Sequence, residues 1–152
     1  MPVRIAFLLA FVLAASLRAA AENPPSNACS LLSRAVIAQA TGLHVARGRP
    51  GPPLSGALSD CTWQAPDGTR IVVTVADAAH MRVTLESQLQ SGATAYPALG
   101  TRAAGTAGNE ETGGGYNLSV LDRKGGVAVS ILGNAGTGER TLALARSIET
   151  HR

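Results

Sequence analysis

Two cysteines and one tryptophan are the residues whose types and spacing suggest chemistry. Cys29 and Cys61 are the only cysteines in the chain, and Trp63 follows the second one by two positions. The cysteines are better explained as partners in one disulfide than as reactive thiolates. Closing a loop of about 33 residues is worth roughly 3 to 4 kcal/mol on the chain-entropy model. We therefore predict a Cys29–Cys61 disulfide that fixes a short helix onto the first strand of a small domain.

The aromatic residues are few enough to be considered one by one. Both phenylalanines lie in the first eleven residues, so Trp63, Tyr96 and Tyr116 are the remaining aromatics. A tryptophan beside a disulfide is typical of a core residue, and the alternative is a stacking surface for a ligand. We favour the core interpretation for Trp63, and we keep Trp63, Tyr96 and Tyr116 as candidate ligand-facing residues.

Catalytic and metal-binding patterns are not evident. Asp77 and His80 are three positions apart on a predicted helix and supply at most two ligands, whereas structural zinc takes four and catalytic zinc three plus water. No serine lies in a G-x-S-x-G elbow. Glu110 and Glu111 are neighbours on a predicted loop, not two carboxylates across a cleft. We predict no catalytic residues and no metal ligands.

A glycine-rich segment near the end of the chain resembles a phosphate-binding loop in spacing only. Gly133 and Gly138 match the outer glycines of the G-x-x-x-x-G-K-[ST] pattern, but Glu139 and Arg140 follow. A carboxylate in place of the lysine repels phosphate, and no hydroxyl follows to hold magnesium. We predict a flexible connection between a strand and a helix, and no cofactor.

The first residues are typical of an export signal. A basic start at Met1–Arg4 precedes the apolar run Ile5–Ala15, and Ala19–Ala21 supplies the small residues for cleavage. The run is shorter than the roughly 20 residues that span a bilayer. The alternative is lipidation of Cys29, but Cys29 lies well past the run, and its acylation would leave Cys61 unpaired. We predict cleavage near Ala21 and a periplasmic or secreted protein with no membrane attachment.

The charge balance argues against nucleic acid as a partner. Without Arg4 and Arg18 the chain holds 11 basic and 10 acidic residues, close to neutral. Nucleic-acid binders show a basic patch or stripe. The remaining basic pairs, Arg47 with Arg49 and Arg123 with Lys124, are isolated, and we interpret them as solvated turn residues.

Caps, turns and periodicity predict the elements of the domain. Ser33 and Gly42 delimit a helix over Arg34–Thr41, which presents Leu32, Val36 and Ala40 on one face. Asp77 caps a second helix, and a third follows the glycine-rich segment. Alternating apolar residues predict two hairpins, the first turning at Pro66-Asp67-Gly68. The further predicted ranges are helices Ala78–Gln90 and about Glu139–Thr150, strands Leu58–Gln64, Thr69–Val75, Tyr116–Leu121 and Val127–Ile131, a short strand at Leu43–Val45, a loop over Ala46–Ala57, and a possible edge strand within Gly105–Gly115.

Neighbouring strands joined by tight turns are antiparallel. The elements therefore predict an α+β fold of two or three layers, with a single antiparallel sheet of four to six strands and the helices packed on one face. The predicted organisation is a cleaved signal peptide (1–21), an extended leader (22–28) and one disulfide-linked domain (29–152).

The segments around the cysteines resemble a group of small exported bacterial proteins and lipoproteins, many of them actinobacterial and mostly of unassigned function. The resemblance lies in Cys29-Ser-Leu-Leu-Ser33, Gly42-Leu43 and Cys61-Thr-Trp63. Weaker likenesses are found at Ala98–Ala104 and in the final helix. Val36 stands where the group usually has a capping glutamate, and the aspartate after Gly100 is missing. The resemblance implies a disulfide-linked α/β sandwich, no catalytic residues, and a role as a sensor or accessory module.

The leading functional hypothesis is an exported, non-enzymatic binding or accessory module, monomeric, with an unknown protein or envelope component as partner. A small exported hydrolase is the first alternative, and it requires titratable groups such as His44 and His80 to converge in one pocket. An inhibitor of an exported enzyme that presents the loop over residues 47–55 is the second.

Overall fold

A computed structural model describes residues 27–53, 56–109 and 113–152 of the chain. Its regular elements follow one another from a single 3-10 turn at Ala28–Ser30 to a long final helix. In chain order they are α1 (Arg34–Thr41), β1 (Arg49–Gly51), β2 (Ala57–Gln64), β3 (Arg70–Ala76), α2 (Ala78–Gln90), β4 (Thr94–Ala95), β5 (Arg102–Ala107), β6 (Tyr116–Asp122), β7 (Gly125–Leu132) and α3 (Gly138–His151).

The strands form one antiparallel sheet in the order β1-β2-β3-β7-β6-β5-β4. The α+β class and the single sheet are confirmed, but the described residues form seven strands where four to six were predicted. The additional strands are the two short edges, β1 and β4. The segment Leu43–Val45 is not a strand, although the next amide, that of Ala46, donates to the carbonyl of Gln64 at 2.8 Å.

The first two helices begin and end where their caps predict. The hydroxyl of Ser33 accepts the amide of Val36 at 3.2 Å, and Gly42 closes α1 with φ of 73°. The carboxylate of Asp77 accepts the amide of His80 at 2.7 Å at the start of α2. A side-chain acceptor at the first turn satisfies an amide that the helix itself leaves unpaired. These local contacts explain why both helices match their predicted bounds.

The buried face of α1 differs from the predicted one. Ile37 is fully buried and Thr41 is 5% exposed, whereas Val36 and Ala40 are only partly buried. The hydroxyl of Thr41 donates to the carbonyl of Ile37 at 2.7 Å, so its burial leaves no donor unpaired. The most deeply buried positions of α1 are therefore one residue further along the chain than the predicted Val36 and Ala40, which are partly buried against the same core.

The helices cover both faces of the sheet, which corrects the prediction of one covered face. Successive strand residues point to opposite faces, and on β6 Leu118 and Val120 belong to the larger core while Leu121 belongs to a second one. The larger core lies under α1 and α3. The second is formed with Met81 and Leu85 of α2. The fold therefore has three layers.

The turn between β2 and β3 has the contacts that its sequence predicts. The carboxylate of Asp67 accepts the amide of Thr69 at 2.9 Å, and Gly68 takes a positive φ of 87°. This hydrogen bond and a second from the Thr69 hydroxyl hold the pKa of Asp67 below its usual value. Ala65 and Thr69 close the turn through a 2.8 Å backbone bond. The first hairpin prediction is confirmed.

The predicted disulfide between Cys29 and Cys61 is confirmed, with a Cα–Cα distance of 5.0 Å. It joins the 3-10 turn before α1 to the middle of β2. The predicted signal peptide (1–21) and residues 22–26 of the predicted leader lie outside the described residues. Within the described part of the chain, no helix is long and apolar enough to cross a membrane.

Candidate functional site

Trp63 lies in the core and not at a surface. Its side chain is 2% exposed, on the same face of β2 as the fully buried Cys61. Gly48 covers the indole so closely that a Cβ atom there would come within 2.7 Å of the ring nitrogen. The core interpretation of Trp63 is therefore confirmed, and its inclusion among the ligand-facing candidates is wrong because no face of the ring is open to a stacking ligand.

The other two candidates lie together. Tyr116 is the first residue of β6 and pairs with Ala107 of β5, while Tyr96 follows β4 directly and its amide donates to the carbonyl of Ala103 at 3.0 Å. Their hydroxyl oxygens are 2.7 Å apart, and either hydroxyl can donate. Both side chains are half-buried. We call these two residues the tyrosine pair.

Two glycines provide the space in which the tyrosine pair lies. A Cβ atom on Gly105 of β5 would be 2.6 Å from Cε1 of Tyr116 and 3.0 Å from Cε2 of Tyr96, so both rings lie directly over this glycine. A Cβ atom on Gly138 would be 3.3 Å from the Tyr116 ring and 3.6 Å from the Tyr96 hydroxyl oxygen. The pair is therefore held between β5 and the first turn of α3.

The Tyr116 hydroxyl is a neutral hydrogen-bonding group at ordinary pH. Burial, and then the hydrogen bond to Tyr96 and the charge that Tyr96 would carry, raise the pKa of Tyr116 to about 12. A hydrogen bond with Thr94 acts in the opposite direction. Because the proton is held more tightly than in a free tyrosine, the Tyr116 hydroxyl is suited to donate or accept a hydrogen bond and unsuited to act as a general base.

The glycine-rich segment before α3 connects a strand to a helix, as predicted, and it is packed against its neighbours. Thr137 caps the helix by accepting the amide of Arg140 at 3.3 Å. The guanidinium of Arg140 donates back to the carbonyl of Ala135 at 3.1 Å. A side chain on Gly136 would collide with the carbonyl oxygen of Ile131. The loop is thus packed against the end of β7, and this packing positions the start of α3 beside the tyrosine pair.

The histidines do not meet. His44 lies beside Gln64 at the end of β2, whereas His80 lies over Gly56, just before the start of β2. The eight residues of β2 separate these places by about 25 Å at about 3.3 Å per residue. Both histidines are exposed, as is His151. Across residues 27–53, 56–109 and 113–152, no three metal-ligating side chains come together.

The other residues that the sequence analysis considered for binding or catalysis lie in separate parts of the chain. Of the loop over residues 47–55, Arg49–Gly51 form the exposed edge strand β1, and residues 54 and 55 lie outside the described part. Glu110 and Glu111 also lie outside it. Arg123 and Lys124 occupy the turn between β6 and β7. Among the residues that the structure describes, Arg49 therefore lies at the β1 edge of the sheet, whereas Arg123 and Lys124 lie at the turn between β6 and β7.

A charged pair at the end of α3 is substantially buried. The guanidinium of Arg152 donates to the carboxylate of Asp122 at 3.0 Å, with the arginine side chain 6% exposed. The other carboxylate oxygen accepts the amide of Lys124 at 2.6 Å. Both carboxylate oxygens of Asp122 therefore accept a hydrogen bond. We interpret the Asp122–Arg152 pair as a link between α3 and the β6–β7 turn.

Comparison of the chain with protein-family models, with curated proteins and with solved structures found no match. The resemblance to small exported bacterial proteins stays a prediction that rests on the quoted motifs.

Sequence reasoning named Tyr96 and Tyr116 but not their contact. The residues that complete the site are Gly105 and Gly138, which admit the rings, and Thr94, which bonds to Tyr116. A glycine inside a strand often marks a close approach by another group, and Gly105 was such a signal. It was lost because the surrounding segment is rich in glycine throughout.

Proposed function

We propose that the protein is an exported, non-enzymatic binding or accessory module of the cell envelope or extracellular space, and that the tyrosine pair is the centre of its contact surface. The partner is a protein or an envelope component. One observation carries the proposal: Tyr96 and Tyr116, two of the three aromatic residues beyond the predicted signal, are half-exposed and hydrogen-bonded to each other.

The chemistry of tyrosine supports a contact role. A phenol ring offers a large apolar surface with a polar tip, and it has few rotatable bonds to immobilise on binding. Here each ring is already restrained by Gly105 below and by the other hydroxyl. A preorganised aromatic pair loses less entropy on association than two free side chains would. Tyrosine is accordingly enriched at the centres of protein interfaces.

The distribution of titratable groups favours binding over hydrolysis. A hydrolase needs a base within hydrogen-bonding reach of its nucleophile or water. His44 and His80 lie at opposite ends of β2, and burial raises the pKa of the Tyr116 hydroxyl to about 12. The tyrosine pair itself therefore has hydrogen-bonding capacity without a base to drive a reaction.

Binding by the tyrosine pair can be tested with matched surface variants. The probes are detergent-solubilised envelope from the producing cell and, separately, its purified cell-wall glycan, applied to the immobilised oxidised protein. We expect Tyr96→Ser and Tyr116→Ser to reduce capture at least tenfold, since each removes a ring from the contact. Val83→Ser is the control, because Val83 is 67% exposed on α2, on the other face of the sheet.

Circular dichroism and the urea midpoint of each variant establish that it is folded before binding is compared. Equal capture by the wild type and both tyrosine variants would show that the surface lies elsewhere. Loss with Val83→Ser alone would place it on α2.

A further inference from the structure

We propose that the tyrosine pair is a site of oxidative cross-linking, in which Tyr96 and Tyr116 become joined through a carbon–carbon bond between their rings. The product is an intramolecular dityrosine. This inference rests on the position of the rings and does not depend on the proposed binding function.

The carbons that would couple already lie near each other. Oxidised tyrosines join at the ring carbons beside the hydroxyl, which are the ε carbons. Cε1 of Tyr116 lies 2.6 Å and Cε2 of Tyr96 lies 3.0 Å from one point above Gly105, so the two carbons are no more than 5.6 Å apart. The hydroxyl oxygens, each next to an ε carbon, are in hydrogen-bonding contact at 2.7 Å.

The surroundings allow the small movement that bond formation requires. Gly105 lies beneath both rings and Gly138 beside them, so neither position contributes a side chain that would separate them. Tyr96 follows the two-residue edge strand β4 and precedes the exposed Pro97 and Ala98. A segment at the edge of a sheet moves at lower cost than a central strand. Tyr96 is therefore the partner that shifts, while Tyr116 stays anchored in β6.

The reaction balances with a peroxide as the oxidant. Each phenol loses one electron and one proton, and two phenoxyl radicals result. The ε carbons form the new bond, and the two hydrogens on those carbons move to the oxygens and restore both phenols. The protein loses two hydrogen atoms in total. One hydrogen peroxide molecule, acting through a haem peroxidase, accepts them and becomes two molecules of water.

The cross-link would secure the side of the sheet that the disulfide does not reach. Cys29 and Cys61 join the 3-10 turn to β2, near the β1 edge. A bond between Tyr96 and Tyr116 would tie the segment after β4 to β6, across β5, near the opposite edge. Both edges of the sheet would then carry a covalent link formed under oxidising conditions.

The sequence makes the experiment unambiguous, because it contains two tyrosines and any intramolecular dityrosine must join them. The purified, disulfide-bonded protein is treated at low concentration with hydrogen peroxide and a haem peroxidase. We expect dityrosine fluorescence in the monomer, and an intact mass lower by two hydrogens. After digestion with trypsin, the peptides 83–102 and 103–123 should stay joined. The product should unfold several degrees above the untreated protein.

Two comparisons separate proximity from general reactivity. Tyr96→Phe and Tyr116→Phe should each give no intramolecular product, and each keeps the ring that packs over Gly105. The wild type unfolded in urea with its disulfide intact should cross-link at least fivefold more slowly than the native protein. Equal rates in urea and in buffer would overturn the proposal. So would a native protein that yields only intermolecular dimers or only singly oxidised tyrosine.

Discussion

Loss of the Cys29–Cys61 disulfide should destabilise the domain without changing its fold. The perturbation is made in two ways: by reducing the native protein, which keeps both sulfur atoms, and by the double variant Cys29→Ala/Cys61→Ala. Alanine is preferred to serine because Cys61 is fully buried. A serine hydroxyl without a partner there would add about 1 to 3 kcal/mol that has nothing to do with the cross-link.

The magnitude follows from the length of the closed loop. The two cysteines are 32 positions apart. On the chain-entropy model a loop of this size corresponds to about 3 to 4 kcal/mol at room temperature. For a domain of this size, such a loss lowers the melting temperature by roughly 10 °C. The loop contains α1 and β1, so these two elements should lose the most protection from amide exchange.

The assay is urea unfolding of the oxidised, reduced and double-alanine proteins. Opening the loop lets the unfolded chain expand and expose more surface, so the dependence of the free energy of unfolding on urea should steepen while the midpoint falls. Coincident curves for the oxidised and reduced proteins would refute the reasoning. A lower midpoint with unchanged steepness would place the effect in the folded state, as a packing defect around Trp63, and not in loop closure.

Two further predictions concern close packing and ionisation. Gly48→Ala should cost about 1 to 3 kcal/mol, because its Cβ would lie 2.6 Å from the Trp63 ring and 2.9 Å from Cys61 Sγ. Gly51→Ala is the control at the other end of β1, because the nearest atom to its added Cβ is Asp60 Cβ at 4.0 Å. Equal urea midpoints for the two variants would contradict the packing argument. The raised pKa of Tyr116 means that the folded state holds the hydroxyl proton more tightly than the unfolded chain does. The stability that this proton contributes is therefore present below pH 10 and is lost as the pH rises towards about 12. The urea midpoint should therefore fall more steeply over this range in the wild type than in Tyr116→Phe, and parallel decreases would show that this ionisation is not linked to folding.

The features that could be predicted from the sequence are those fixed by near neighbours. Ser33 and Gly42 set the ends of α1 through contacts within three or four positions, and the Pro66-Asp67-Gly68 turn set the first hairpin in the same way. Asp77 did so for α2. Each of these is a local hydrogen bond or a local backbone preference, so no knowledge of the remaining fold was needed.

The features that could not be predicted depend on distant partners. β1 and β4 have three and two residues, and each is a strand only because a neighbouring strand lies alongside it. The sequence predicted the helix α2, but not which face of the sheet receives it. Tyr96 and Tyr116 are 20 positions apart, and β5 must pair with both β4 and β6 before they meet.

The strand order has a consequence for how the chain folds. It divides the sheet into two locally connected meanders, β1-β2-β3 and β7-β6-β5-β4, which share a single seam where Val73 pairs with Val129. Every other pairing joins strands that are consecutive along the chain. β3 and β7 are far apart in the sequence, so their pairing requires the closure of a long loop. The entropic cost of that closure precedes the contacts that offset it, and such non-local pairing slows folding. Both cysteines lie in the first half of the sheet, so the disulfide does not shorten the loop between β3 and β7. We expect closure of the β3–β7 seam to limit the folding rate whether the cysteines are oxidised or reduced.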